Sequence, residues 1–217
     1  MIVVAVAAQV HAPQPSRTAA GTLGPSGRGH DPSLRRSEPV TVAIPAIGVR
    51  SRVLRAGLSR GGAIQVPSLL TQAGDAAWYK YSPTPGQFGA SIIEGHVDTY
   101  RGPAVFYRLG ALRPGDRIEV KLADGITAIF RVTGVRQYRK SHFPARTIYR
   151  ASGYAALRLI TCGGSFDYAT RSYLSSTVVF ASLAASQPPG AAGRLAASRL
   201  FTVVVSGRVR LGLALDQ

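Results

Sequence analysis

The chain carries one cysteine, Cys162, and four histidines, His11, His30, His96 and His142. A thiol and an imidazole held together can perform nucleophilic acyl transfer. The thiolate attacks a carbonyl, and the imidazole moves protons to and from the reacting groups. A single cysteine forms no intrachain disulfide, so Cys162 is either packing or chemistry, and its neighbours favour chemistry. It closes the apolar run Leu157-Arg-Leu-Ile-Thr-Cys162 and is followed by Gly163-Gly164. The pattern predicts a strand that stops at the glycines. Its thiol would be held rigidly by the sheet and exposed at the rim, with no neighbouring side chain in the way of a substrate.

Of the histidines, His11 and His30 fall in a stretch rich in Pro, Gly, Ser and Arg, and His142 follows the basic Arg139-Lys-Ser141 in a predicted loop. His96 ends the strand-like Ala90-Ser-Ile-Ile-Glu-Gly-His96 directly after Gly95. It therefore stands at a second strand rim and is the expected partner of Cys162. Asp98, two residues on, is a candidate for orienting the imidazole. The chain has no Walker loop, no Cys/His metal spacing and no dinucleotide fingerprint after a strand, so neither cofactor nor metal is expected.

Positioning these groups requires strands. Short β-type runs recur at 40–54, 62–68, 90–97, 116–122, 126–138, 157–162 and 176–183, bounded by Gly, Pro, Asp or Ser. Asp124-Gly125 between two of them predicts a hairpin, because both residues tolerate positive φ. Helical periodicity is weak, with short candidates at 102–112 and around Tyr149 to Tyr154. The expected fold is all-β: a closed or nearly closed barrel of seven or eight strands with short helices or turns.

In a chain of 217 residues this predicts one domain, over 40–183, between flexible tails. Residues 11–39 read as a disordered stalk. The apolar start at 1–10 is too short to cross a bilayer and lacks a positive flank. It is either the stump of a signal anchor or a plain apolar start. Residues 184–217 read as a low-complexity extension whose apolar end is broken by Arg208 and Arg210.

The formal charge is +16 and the pI about 11.1, which suits phosphate or an anionic cell envelope. Nucleic-acid binding on a sheet needs aromatics interleaved with the cations. Only Tyr138 beside Arg139 offers that, so no nucleic-acid partner is expected. The 136–140 cluster reads as a solvated edge.

These residues also carry a family resemblance. Leu159-Ile-Thr-Cys162 resembles the Leu-x-Thr-Cys signature of the sortases, and Glu94-Gly-His-Val97 resembles their Gly-His segment. Ile44-Pro-Ala-Ile-Gly48, Ala77-Trp-Tyr79 and Ser82-Pro-Thr-Pro-Gly86 fit in order, over roughly 40–183. Thr161-Cys-Gly-Gly-Ser-Phe-Asp167 is most similar to the actinobacterial class F. The resemblance implies an eight-stranded barrel on the outer face of a Gram-positive cell, with Cys162 as nucleophile and His96 as acid/base. It implies cleavage of an LPXTG-like sorting signal through a thioester, and transfer to the amine of a peptidoglycan precursor or pilin. Some sortases use calcium, but no acidic cluster is evident to hold it.

The family's third residue, an arginine at the oxyanion, departs from the pattern. Its positions hold Leu174, Ser175 and Ser176. Arg171 is the expected substitute, ahead of Arg158, with backbone N–H groups at Thr161 or Gly163 as the remaining donors. Its absence keeps a second reading open, a catalytically impaired sortase-like binding module of the envelope. A third, an L,D-transpeptidase, expects Ser-x-Gly-Cys-x-Arg, which Ile-Thr-Cys-Gly-Gly does not match.

Overall fold

Successive side chains of a strand point to opposite faces, and here both faces of the central strands are covered. The computed structural model describes residues 12–21, 33–150 and 152–190. In chain order its strands are β1 (Pro39–Ile44), β2 (Val49–Ala56), β3 (Ala76–Tyr79), β4 (Gly89–Glu94), β5 (Asp98–Thr99), β6 (Gly102–Pro103), β7 (Arg117–Leu122), β8 (Thr127–Arg139), β9 (Ala155–Asp167) and β10 (Ser172–Gln187). One short α-helix, α1 (Ala145–Tyr149), links β8 to β9. Eight strands close into a barrel in the order β1-β2-β3-β4-β9-β10-β8-β7, and β5 and β6 form a separate ribbon. The expected all-β barrel is therefore present, with eight strands. The pairs β2–β3 and β4–β9 are parallel and the other barrel pairs antiparallel.

Leu157 and Leu159 of β9 join Trp78, Phe130 and Val179 in the main buried cluster. The alternate residues Ala156 and Ile160 pack with Ile92, Val178 and Phe180 in a second cluster that includes Ile148 of α1. Two covered faces explain why β9 and β10 read as nearly continuous apolar runs. They also put the even-numbered side chains of β9, Cys162 included, on the α1 side.

Several local expectations change. The 62–68 run forms no strand, only an isolated bridge between Leu58 and Ile64. The 102–112 stretch supplies β6 and one 3₁₀ turn, Leu109–Ala111, rather than a helix. The helix near Tyr149 ends at that residue instead of running on from it. The Asp124-Gly125 hairpin forms, with Gly125 at φ 86° and its N–H donating to Leu122 O at 3.0 Å.

Order also extends outside 40–183. β10 runs on to Gln187, paired with Thr127. A 3₁₀ turn at Arg17–Ala20 begins where Ser16 Oγ accepts from Ala19 N. Ala19 is 1% exposed and belongs to the main cluster. This part of the expected stalk is docked on the barrel, because small residues let its backbone approach closely: a Cβ on Gly21 would stand 1.9 Å from the Thr133 carbonyl oxygen. Residues 1–10, His11, His30 and 201–215 lie outside the described residues. Among the described residues no helix is long and apolar enough to cross a membrane.

Candidate active site

The parallel β4–β9 ladder builds the site. Its last paired residues are Glu94 and Ile160, and Gly95 N extends it by donating to Ile160 O at 3.1 Å. Beyond that point the chain leaves β4, so Cys162 has a ladder partner on one side only, Ser176 of β10. Both His96 and Cys162 line a groove of about 580 Å³, together with Glu94, Lys140, Ser176 and an apolar wall that includes Leu58, Ile64, Val66, Phe143, Tyr149 and Ile160. The two residues singled out in the sequence are thus brought to one site.

The glycine before His96 is set by packing. A Cβ on Gly95 would meet Val105 Cγ1 at 2.6 Å and Phe106 Cδ2 at 2.7 Å. His96 is fixed at both ends, since its carbonyl accepts from Phe106 N at 2.9 Å and its Nε2 lies 2.6 Å from Pro67 O. A carbonyl only accepts, so this contact puts a proton on Nε2 and selects the tautomer.

Two expectations about the surroundings of Cys162 are corrected. β9 does not stop at the glycines; it continues through them to Asp167. Gly163 is small because β10 lies against it: a Cβ there would stand 2.7 Å from Thr177 Oγ1. Cys162 is reachable because β4 has ended, not because β9 has.

Asp98 does not hold the imidazole. It accepts a hydrogen bond from the Tyr173 hydroxyl of β10. Burial pushes the Tyr173 phenol well above its ordinary value; the Asp98 bond and the proximity of Asp98, Cys162 and Tyr107 add to it.

The sequence-predicted arginines are not brought to the groove. Arg171 is exposed at the β9–β10 turn with φ 50°. That turn closes on Asp167, whose carboxylate accepts from Ala169 N at 2.9 Å and Thr170 Oγ1 at 2.8 Å, so it does not fold back over Cys162. Arg158 shares the outer face of β9 but is only 4% exposed, with its guanidinium carbon 4.7 Å from the centre of the Phe180 ring. Neither lines the groove.

The groove's Lys or Arg is instead Lys140, whose Nζ donates to Ser172 Oγ at 3.0 Å. Tyr138, Ser176 and Cys162 are level across β8, β10 and β9, and Lys140 follows Tyr138 by two residues. Sequence spacing carried no sign of this, because the placement is a product of register on three strands. His142 is exposed, its Nδ1 2.9 Å from Ser141 Oγ. Among the described residues no group of His, Cys, Asp or Glu is arranged to hold a metal ion.

A family model described as the sortase domain matches residues 42–184. No curated protein sequence matches the chain. Among solved structures, sortase A from Corynebacterium diphtheriae (lid mutant) is similar at TM-score 0.53 and 18% identity, covering 71% of this chain and 74% of its own. Sortase C1 from Streptococcus agalactiae gives 0.52 and 19%, covering 70% and 71%. Sortase A of Listeria monocytogenes gives 0.51 and 16%, covering 70% of this chain and 90% of its own. At such identities the structures speak for the barrel alone. With the family model spanning most of that barrel, the chain belongs to the sortase family.

Proposed function

We propose that the protein is a cysteine transpeptidase of the cell envelope that cleaves an LPXTG-like sorting signal and transfers the protein to an amine. The observation that carries this is the convergence of His96 and Cys162 on one groove whose wall is apolar enough to seat an extended peptide.

In this reading the Cys162 thiol gives its proton to His96 and attacks the Thr–Gly carbonyl. The tetrahedral intermediate collapses as the C–N bond breaks, and His96 protonates the departing glycine amine. An acceptor amine, on a peptidoglycan precursor or pilin, then attacks the thioester. His96 takes its proton and the thiolate leaves. With Nε2 engaged by Pro67 O, the nitrogen that exchanges protons is Nδ1. The thioester divides one difficult amide exchange into two easier steps.

The oxyanion needs a donor. Lys140 supports that role better than Arg171, since it lines the groove while Arg171 sits at the outward turn; backbone N–H groups beside Cys162 share the load. The Thr161–Asp167 segment supports a class F relationship, and the family supports a Gram-positive envelope location. Membrane attachment through the N-terminal region belongs to the same proposal.

Intact mass spectrometry of the protein with a panel of LPXTG-like peptides tests the reading. The expected result is a covalent adduct on Cys162 that an added amine discharges. Tight peptide binding with no adduct under any condition would instead favour the impaired binding module, for which the missing β10 arginine is the motive.

A further inference from the structure

Glu94 is the groove's unexplained group. It precedes His96 by two residues, and both line the groove with Cys162. Its surroundings are the apolar wall formed by Ile64, Phe143 and Ile160. The hydrogen bond it receives is a long one, from Tyr149 Oη to Oε1 at 3.4 Å. Three ion pairs are formed among the described residues, Arg52–Asp75, Arg55–Glu38 and Arg117–Glu119, and none includes Glu94. Arg158, opposite Ile92 on the next strand, stacks on Phe180 instead. Lack of counterions is not the reason, since the chain has 26 Lys and Arg against 10 Asp and Glu. Burial pushes the Glu94 carboxyl up to about 7, the behaviour of an acid without its cation.

Resting on the transpeptidase reading, we infer that Glu94 makes this groove a receptor for a cationic nitrogen, an ammonium or guanidinium, carried in by the substrates. An arriving cation would desolvate against a carboxylate already removed from water, where attraction is stronger than at the surface. The source is either a Lys or Arg side chain of the sorting signal or the acceptor amine before it loses its proton.

Cys162 is the chain's only cysteine, which allows a test without substrate. The rate of Cys162 modification by 2-aminoethyl methanethiosulfonate, relative to neutral methyl methanethiosulfonate, is measured at pH 8 in wild type, Glu94→Asp and Glu94→Gln. The cationic reagent should lose about fivefold of its relative rate in Glu94→Gln and keep most of it in Glu94→Asp. A ratio within twofold of wild type in Glu94→Gln overturns the inference.

Two further arms assign the source. Thioester formation is followed with peptides bearing Lys or norleucine at each variable position; a Lys preference that Glu94→Gln abolishes identifies the sorting signal. The KM for a small primary amine in thioester discharge is followed in parallel; a rise in Glu94→Gln identifies the acceptor. If neither moves, Glu94 has no part in transfer and the inference fails. Absence of any adduct in wild type would count against the transpeptidase reading alone, since the reagent ratio stands independently of it.

Discussion

Ser176 lies directly across the antiparallel β9–β10 ladder from Cys162. Directly opposed residues share a face, and both line the groove. This is the strand on which the family resemblance places an arginine, and a hydroxymethyl group stands there instead. The groove's cation is instead Lys140, in the 3₁₀ turn Lys140–His142 that follows β8, two residues past Tyr138.

Cys162→Ala should abolish both the peptide adduct and turnover while leaving the unfolding midpoint close to wild type, because the residue is only partly buried. Turnover near the wild-type rate would remove Cys162 from the mechanism.

His96→Ala should lower kcat/KM by about 10²-fold or more, the usual contribution of a proton-transferring side chain. His142→Ala, at an exposed position outside the groove, should stay within about twofold on the scale of that effect. The reverse ranking would mean the wrong imidazole has been assigned.

Lys140→Ala should cost about 10²-fold in kcat, comparable to one lost oxyanion donor, with Lys140→Arg retaining part of it. Arg171→Ala should be nearly silent. The double variant Lys140→Ala/Ser176→Arg should recover about tenfold, because it restores a guanidinium beside the thiol. Steady-state kinetics on the four proteins decide this; equal losses in Lys140→Ala and Arg171→Ala would leave the oxyanion to other groups.

Glu94 has a folded value raised to about 7, chiefly by burial, above its unfolded value near 4.5. Between those values the folded state binds more protons than the unfolded one, so the carboxyl lowers stability progressively as pH rises through the window. Glu94→Gln should therefore gain in Tm relative to wild type from pH 4.5 to 7, with the gain level above that. A difference in Tm independent of pH would show that Glu94 titrates normally.

Ala19→Asp should destabilise the fold by about 2 kcal/mol or more, because it forces a charge into the barrel cluster. Chemical denaturation reads the loss directly. An unchanged midpoint would mean that the 12–21 segment is not docked in solution.

That Cys162 and His96 would share one groove was legible because the pairing is written in residue type: one thiol, and one histidine beside a glycine at the end of an apolar run. Seven of the eight barrel strands were legible from alternation and the Asp124-Gly125 turn, whereas β3 (Ala76–Tyr79) was not read as a strand. What stayed hidden depended on register. Whether Lys140 or Arg171 reaches the groove is decided by how β8, β10 and β9 align, and no local pattern encodes that. The end of β9 was misread because Gly163 and Gly164 resemble a terminator, whereas the close approach of Thr177 makes them part of the ladder. The 62–68 run alternates like a strand yet finds only one bridging partner. Residues 12–21 show no apolar period, since small buried side chains, Ala12 and Ala19, and close backbone contacts anchor them.

The parallel pairing of β4 with β9 has a consequence for the newly made chain. Antiparallel neighbours such as β7 and β8 can zip up from a local turn, but β4 and β9 meet only after the intervening ribbon, hairpin and helix have been laid down. Bringing together segments so far apart in sequence is slow. Until that seam closes, the thiol and the imidazole are on separate pieces of chain, and neither alone can carry out acyl transfer. On the transpeptidase reading proposed above, an incompletely folded molecule would be kept from attaching itself to stray peptides, and competence for chemistry would arrive together with the finished barrel.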